Sequence, residues 1–479
     1  MELKPYVLGG AAQTRNALEG LDADGQLDVG FDAKYEIRPG LVLDATLNTD
    51  FAQVEADDEQ VNLTRFSLFF PEKRDFFLEN SGIFEFGERG FFGPPPYLLF
   101  FSRRIGIAPE GEVPVLGGLR LTGRVGSQRV GALNVVTDDA FGRPKTNFAV
   151  VRVKRDIGTN NFIGALVTDR RTSEGWNTTG GVDWSFWPTS RLVFRGFASA
   201  TATSGAGGEG SAFQGQLDYT SNHFGFNIAH LSISPNARAD MGFITRTDVR
   251  QSTAFFRVTP RPHAVGLRKV DFFWSNRLIT RTDGTLQDWS IGPSFSPQWN
   301  SGESMRIEYE VGFTRLDQGF EIGEGVPVPA GDYDTWLISA SAETSSNRPV
   351  VLQGNTRFQS IYDGHISTVG GSLTLSPSAN LSTVLSYTHN RVDVPNGAFD
   401  ADIGSLRLTL AFTTQITANA LIQYNERDDE LSANIRFNFI HTPGSDLFIV
   451  LNEQRGTSES LWDLNTRSTV VKVTYLARL

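Results

Sequence analysis

Hydrophobic and polar residues alternate along most of the chain, from about Pro114 to Leu479. In the stretch ITANALIQYNE, for example, Ile416 and Ile422 fall on one face and Gln423 falls on the other. A period of two residues is typical of β-strands whose faces meet different environments. Many segments keep this period for about 9 to 12 residues, longer than usual sandwich strands and close to what a tilted strand needs to cross a bilayer. The pattern therefore favours transmembrane strands over a soluble sandwich.

The connections between these segments alternate between short and long. HTPGSD (441–446) and TTQ (413–415) are short, whereas RVDVPNGAFDADI (391–403) and the run 455–467 are long. Outer-membrane barrels have short periplasmic turns and longer external loops. With the chain end placed on the periplasmic side, this alternation stays consistent back to about residue 114.

The strand count predicts the size of the barrel. About 21 strands follow Pro114, and three more precede residue 52. A strand near 97–106 would be the twenty-fifth, and Val61–Phe70 would close an even number. We therefore predict an all-β fold, a large transmembrane antiparallel β-barrel of about 24 to 26 strands, that occupies residues 1–479 as a single domain in the bacterial outer membrane.

The same alternation predicts which side chains meet lipid. Ile435 and Val473 belong to uniformly apolar faces, so we expect them to contact lipid. Asn434 lies on the opposite, polar face, so we expect it to line the lumen.

One stretch, Gln60 to Gly106, breaks the regular pattern. It holds eleven phenylalanines among charged residues and has no period. In the strand count, Leu41–Phe51 and 97–106 both run outward, so the chain between them must return, either as a strand or through the lumen. We therefore predict that residues 53–106 form a plug or gate.

The candidate residues of the plug combine aromatic rings with charges. Two interpretations remain open: a structural lid whose charges pair with one another or with the wall, and a gate or ligand platform where phenylalanine faces and charges contact an amphipathic ligand. The candidates are Glu55, Arg65, Phe69, Phe70, Glu72, Arg74, Phe76, Phe77, Glu79, Arg103 and Arg104.

Two charged motifs in this region allow alternative interpretations. DFAQVEADDEQ (50–60) is expected to be a solvated strand end, with a Ca²⁺ site or an acid/base pair as the alternative. Arg103 and Arg104 are adjacent, so on a strand they would point to opposite faces and only one would enter the lumen. We expect that arginine to pair with acidic residues of the plug, with anion selectivity as the alternative.

Composition excludes several other functions. The chain has no cysteine, which removes disulfides and thiolate metal sites. Its net charge of −11 and scattered basic residues argue against a nucleic-acid surface. The six histidines are isolated, and no catalytic or phosphate-binding motif occurs, so we predict no catalytic residues, no metal and no cofactor. No apolar window is long enough for a membrane helix.

Four stretches resemble motifs of a family of bacterial envelope proteins of unassigned function. They are DFAQVEAD (50–57), VNLTRFSLFFPEKRDFFLEN (61–80), LFFSRRIG (99–106) and MGFITRTD (241–248). The resemblance covers essentially the whole chain, although Asn48-Thr49-Asp50 stands where the family usually reads Asn-Pro-Asp. It implies a barrel that follows a family-9-type carbohydrate-binding-like module in the same protein. The start of this sequence lacks the pattern of a signal peptide, so we expect a signal peptide and that module to precede it.

Pattern and resemblance together predict passage or docking of a bulky substrate, a glycan or an exported polypeptide. The expected partners are outer-membrane lipid, that substrate and the N-terminal module, with no nucleic acid. The alternative is a membrane-associated hydrolase that acts on envelope carbohydrate, although the resemblance supplies no catalytic residues.

Overall fold

The computed structural model describes residues 1–16, 20–51, 53–87, 95–205, 208–262, 265–457 and 463–479. Within these ranges, 24 long strands form one antiparallel sheet. They are β1 (Glu2–Asn16), β2 (Gly20–Arg38), β3 (Leu41–Thr49), β4 (Val115–Val125), β5 (Gln128–Thr137), β6 (Thr146–Ile157), β7 (Asn161–Arg171), β8 (Trp176–Phe186), β9 (Leu192–Thr203), β10 (Gly208–Thr220), β11 (Phe224–Ile233), β12 (Val249–Val258), β13 (Leu267–Thr280), β14 (Leu286–Trp299), β15 (Ser304–Leu316), β16 (Gly331–Glu343), β17 (Val350–Ile361), β18 (Gly364–Ser378), β19 (Leu381–Val394), β20 (Gly397–Ala411), β21 (Ile416–Asn425), β22 (Glu430–Thr442), β23 (Ser445–Gly456) and β24 (Asp463–Thr474).

The sheet closes on itself. Each strand pairs with the next along the chain, and β24 pairs with β1 through the register Tyr6↔Thr474 to Thr14↔Thr466. The short strand Ala477–Arg478 continues this contact along β1. Closure pairs the backbone groups that an open sheet would leave at its edges, which is the requirement for a β-structure in lipid.

The remaining elements are short and are not part of the barrel wall. No helix of the described residues has the length and apolar character needed to cross a membrane. The elements are one helical turn (Asp75–Leu78), two 3₁₀ turns (Ser81–Ile83 and Ser102–Arg104), and the strand pairs Tyr97–Leu98 with Phe243–Ile244, Ile107–Ala108 with Gly111–Glu112, and Phe320–Gly323 with Val326–Val328.

Burial alternates along the strands as the sequence predicted. Ile435 is 40% exposed and Val473 is 51% exposed on the outward face, whereas Asn434 is 4% exposed on the inward face. Exposed apolar side chains on the outside of a closed barrel are the surface that lipid covers. The predicted assignment of these faces is confirmed.

The turns at one end are short, and most of the long connections lie at the other end. The prediction of a long loop at 391–403 is wrong, because β19 and β20 extend through it and meet at residues 395–396. The run 455–467 is largely strand as well, and residues 458–462 lie outside the described residues. The alternating pattern continues into these hairpins, so periodicity alone did not mark where the membrane ends.

The strand count from the sequence is correct at its lower limit. The strands predicted at 97–106 and Val61–Phe70 are absent from the described residues of those stretches, apart from the two-residue strand Tyr97–Leu98. Consecutive phenylalanines cannot keep one apolar face in a strand, and Pro71 has no backbone N–H to donate to a ladder. With no extra strand there is no parity problem, because β3 and β4 are already antiparallel neighbours. The predicted return to the periplasmic side is therefore not required.

The largest apolar core lies between residues 77–105 and the inward face of the neighbouring wall. Small wall residues make room for the aromatic rings: a Cβ added at Gly131 would come within 2.9 Å of Phe84, and one at Gly181 within 2.6 Å of Phe86. The core residues from residues 77–105 are Phe77, Phe84, Phe86, Tyr97, Leu99 and Ile105, and those from the wall include Leu133, Val135, Val150, Leu166, Phe197, Leu231 and Ile233.

Candidate functional site

Residues 50–114, here called the inserted segment, connect two neighbouring strands. The chain leaves the wall after Thr49 and rejoins it at Val115, and these two residues are paired across β3 and β4. The segment therefore begins and ends at one point of the wall. It contains every candidate residue of the predicted plug.

A buried ion pair organises the centre of the inserted segment. Arg74 donates from Nε and Nη2 to the two carboxylate oxygens of Glu72, at 2.8 and 2.7 Å. It also donates to the carbonyl oxygens of Ile105 (2.6 Å) and Ser102 (2.9 Å), and the Ser102 hydroxyl donates to Glu72 at 2.6 Å. Arg74 is only 4% exposed. These bonds tie residues 72–74 to residues 102–105, far apart in sequence.

The charge state of Glu72 follows from these contacts. Burial raises the pKa of its carboxyl, but hydrogen bonds from Arg74 and Ser102 and the Arg74 charge more than offset this, and the pKa lies below its ordinary value. Glu72 therefore stays ionised near neutral pH. A general acid needs the opposite shift, so this environment does not favour the hydrolase alternative for Glu72.

Three of the four candidate phenylalanines pack in two groups, and the Phe70 ring lies 5.7 Å from the Arg103 guanidinium instead. Phe69 stacks on Phe101 with ring centroids 5.0 Å apart and meets Phe243 edge to face at 5.3 Å. Phe76 and Phe77 contact each other at 5.1 Å, and the Arg74 guanidinium lies 4.3 Å from the Phe77 ring centroid. The first group holds the segment to the external connection 234–248, and the second anchors it to the main core. Phe91 and Phe92 lie outside the described residues.

The first residues of the inserted segment, 50–60, are rich in carboxylates and are here called its acidic start. They contact one side of the barrel. Glu55 accepts hydrogen bonds from Arg407 on β20 and Arg436 on β22, and Arg407 also donates to Asp58 at 2.5 Å. On β21, Gln423 donates to the carbonyl oxygen of Asp57 at 2.9 Å. The predicted solvated strand end is therefore wrong for Glu55, because its carboxylate is bound to two arginines of the wall.

A second charged group joins the inserted segment to β2, β3 and β4. Arg120 donates to Asp44 at 2.8 Å and to the Glu79 carboxylate at 3.0 Å, and Lys34 also donates to Glu79. Arg120 lies over the Phe76 ring at 5.2 Å. Burial raises the pKa of Glu79, but the cations Lys34 and Arg120 more than offset this, and the net shift is downward.

The remaining candidate arginines differ in their partners. Arg103 donates to Asp57, and Arg104 donates to the carbonyl oxygen of Gly242 at 3.0 Å. The prediction that these two residues occupy opposite faces of a strand is wrong, because Ser102–Arg104 is a 3₁₀ turn. Arg65 lies 5.2 Å from the Phe66 ring centroid and makes no hydrogen bond to another described residue. Burial, with the Arg246 charge, lowers the pKa of Arg65.

A buried ion pair on the wall, not predicted from the sequence, lies under the inserted segment. Arg152 on β6 binds Asp183 on β8 through two bonds of 2.6 and 2.7 Å, and both side chains are almost fully buried. The backbone N–H of Gly87 donates to Asp183 at 3.2 Å, and Arg152 lies 5.7 Å from the Phe86 ring centroid. One indication of this pair was present in the sequence: β6 and β8 each carry a charged residue, Arg152 and Asp183, at a position of the inward face.

Metal ligands are not grouped within the described ranges: no three His, Cys, Asp or Glu side chains are placed to hold an ion. One of the six histidines, His263, lies outside those ranges.

A closed barrel of 24 antiparallel strands with an apolar outward face and a polar inward face is an outer-membrane β-barrel. Residues 1–119 match the family described as Domain of unknown function (DUF5916). The match contains no carbohydrate-binding-like module, so that part of the resemblance stays a prediction. No curated protein matches the chain.

Solved structures give distant matches over nearly the whole chain. The siderophore receptor PirA from Pseudomonas aeruginosa is 8% identical, with 99% of this chain and 80% of that chain covered and a TM-score of 0.49. The siderophore receptor PirA from Acinetobacter baumannii is 8% identical with the same coverage and a TM-score of 0.46. OpdQ from Pseudomonas aeruginosa is 8% identical over 99% of this chain and 97% of that chain, with a TM-score of 0.31. The assignment to the barrel class rests on this chain's own geometry.

Proposed function

We propose that this barrel passes or docks a bulky substrate across the outer membrane and that the inserted segment is its plug or gate. The observation that supports this most directly is the reach of the segment. Its acidic start binds β20 to β22, whereas Gly87 and Tyr97 bond to Asp183 on β8 and Ser199 on β9. In a ring of 24 strands these two groups lie on opposite sides, so the segment runs across the barrel.

The two attachments differ in strength. On the β8 to β9 side, large apolar side chains such as Phe86 and Tyr97 are buried, and each contributes roughly 1.5 to 3 kcal/mol. On the other side, the Arg407, Arg436 and Asp58 side chains are 34%, 19% and 61% exposed, so their ion pairs are partly screened by water and salt. Opening therefore begins at the acidic start, while the aromatic part stays docked.

The inward face of the wall is polar on the side away from the largest apolar core, and it offers a polar path. On β17, Gln353, Asn355 and Arg357 are exposed although they face inward, since the lipid-facing Leu352 and Phe358 occupy the alternate positions. A polar, hydrated wall suits a polar substrate. We keep both substrate classes predicted from the sequence, a glycan and an exported polypeptide, at this point.

Deletion of residues 72–95 tests the plug directly. The variant lacks the Glu72 ion pair and the rings of Phe77, Phe84 and Phe86, so it should give a much larger single-channel conductance in planar bilayers. Folding is checked by heat-modifiable electrophoretic mobility and circular dichroism. Unchanged conductance with normal folding would place the segment outside the conduction path and overturn the proposal.

A substitution provides a second test that leaves the core intact. Glu55→Gln removes the charge that binds Arg407 and Arg436, so transient opening events should become more frequent. Asp332→Asn is the matched control, because Asp332 accepts two 2.6 Å bonds from Arg315 but lies outside the inserted segment. Equal opening frequencies in Glu55→Gln, Asp332→Asn and the parent chain would contradict a gate held by this contact.

A further inference from the structure

A cavity of about 560 Å³ lies between the inserted segment and the inward faces of β10 to β15. Its volume is in the range of pockets that bind small ligands. Phe86, Tyr97 and Leu98 form the side contributed by the segment. The wall contributes mainly amides, hydroxyls and aromatic rings, among them Gln214, Gln216, Asn227, Gln251, Thr253, Phe255, Phe273, Ser290 and Ser294.

Several polar groups of the cavity have no protein partner. The Ser294 hydroxyl is buried without a hydrogen bond to any described residue. The side chains of Gln251, Thr253 and Ser290 likewise make no hydrogen bond within the described ranges. Ser290 and Ser294 are buried, and buried polar groups are normally bonded to protein or to a bound molecule or water. Gln251 and Thr253 are half-buried beside them. These groups are therefore available to a ligand.

Other amides of the cavity are held in place. Gln214 donates to Gln216 at 3.3 Å, and Gln216 donates to both carboxylate oxygens of Asp218 at 3.0 Å. Asp218 is itself fixed by Arg195 at 2.8 Å and by Asn227. An amide row oriented in this way loses little side-chain entropy when it binds a ligand.

The cavity lining carries equal numbers of positive and negative side chains, so neither sign of charge dominates it. Arg277 and Arg306 are matched in number by Glu308 and Glu310, and Arg306 lies 3.6 Å from Glu308. Aromatic surface is present beside the polar groups, since Phe255 and Phe273 contact each other at 5.2 Å. Neutral donors and acceptors next to aromatic faces match a molecule that has both hydroxyl groups and apolar C–H faces.

We propose that this cavity binds a neutral oligosaccharide, an inference that rests on the proposed transport function and names its substrate class. A polypeptide fits less well. One common mode of peptide capture adds a strand to a free sheet edge, and it is closed here because β10 to β15 are each paired on both sides. Recognition here depends on side chains alone, and their chemistry is that of hydroxyl binding.

The test uses the full chain in detergent with maltohexaose and chitohexaose as probes. Calorimetric titration should detect binding of at least one of these neutral hexasaccharides. Gln251→Leu, which removes an unpaired amide at similar volume, should weaken it about three- to tenfold. Gln26→Leu, on β2 and outside the cavity lining, is the control and should bind as the parent does.

Three results would overturn the inference: no binding of either hexasaccharide, equal affinity in Gln251→Leu and the parent, or tighter binding of an unstructured peptide than of both sugars. Thermal unfolding of each variant separates lost binding from lost folding. The outcome is independent of the plug test. Sugar binding without a conductance change on deletion of residues 72–95 would refute the plug alone, and the reverse result would refute the site alone.

Discussion

The buried pair Arg152 and Asp183 gives the sharpest test of how the inserted segment is anchored. The two side chains are 0% and 1% exposed and share two bonds of 2.6 and 2.7 Å. The Gly87 N–H adds a third contact to the carboxylate. Arg152→Met removes the cation at similar length and leaves the Asp183 carboxylate buried without its countercharge. Removal of one partner of a buried pair costs about 3 to 5 kcal/mol.

The double variant separates the two opposing contributions. Arg152→Met with Asp183→Leu removes both charges, so the cost of burying the carboxylate disappears and replacement of the pair is close to neutral. The Gly87 N–H loses its acceptor in this variant, which costs about 1 to 3 kcal/mol. The double variant should therefore be more stable than Arg152→Met by roughly 2 kcal/mol, although it carries one more substitution.

Urea unfolding in phospholipid vesicles, followed by tryptophan fluorescence, measures these differences. Arg171→Met is the control, because Arg171 forms an exposed pair with Asp169 and should leave the unfolding midpoint unchanged. The reasoning is refuted if the losses in the free energy of unfolding are additive, so that the double variant loses as much stability as the two single variants together. That result would mean that water reaches Asp183 and that the pair is not sealed by the inserted segment.

Two further predictions concern the wall and the acid stability of the segment. Ile435→Arg places a charge on the lipid face and should destabilise the barrel by about 2 to 4 kcal/mol at mid-membrane depth, whereas Asn355→Arg on the inward face should fold normally. Equal folding yields of the two variants in vesicles would contradict the assignment of Ile435 to the lipid face and Asn355 to the inward face. The folded-state pKa of Glu72 is lowered, so its stabilisation is present above the ordinary carboxyl pKa of about 4.3 and is lost as the pH falls through the lower folded value. Limited proteolysis between pH 6 and pH 3 should show the segment opening in acid in the parent, with a flatter pH dependence in Glu72→Gln. The same dependence of proteolysis on pH in the parent and in Glu72→Gln would show that protonation of Glu72 does not cause the opening in acid.

The sequence determined the wall of this protein. The period of two residues is a local property, since each strand residue meets either lipid or the interior, and it recurs along the long strands between 115 and 474. That was sufficient to predict the antiparallel barrel, the lipid-facing side of residues such as Ile435 and the lower limit of the strand count. It was not sufficient where strands extend beyond the membrane, as at 391–403, because the alternation there continues in water.

Only the tertiary structure decided the path of the inserted segment. Its residues have no period, and their partners are set by contacts across long stretches of chain: Glu55 binds Arg407 and Arg436, and the Gly87 N–H binds Asp183. The sequence showed that charges and phenylalanines had to find partners, but not which strand would supply them. In a closed ring any inward position can face a segment that crosses the interior, so the pairing depends on how the whole wall is assembled.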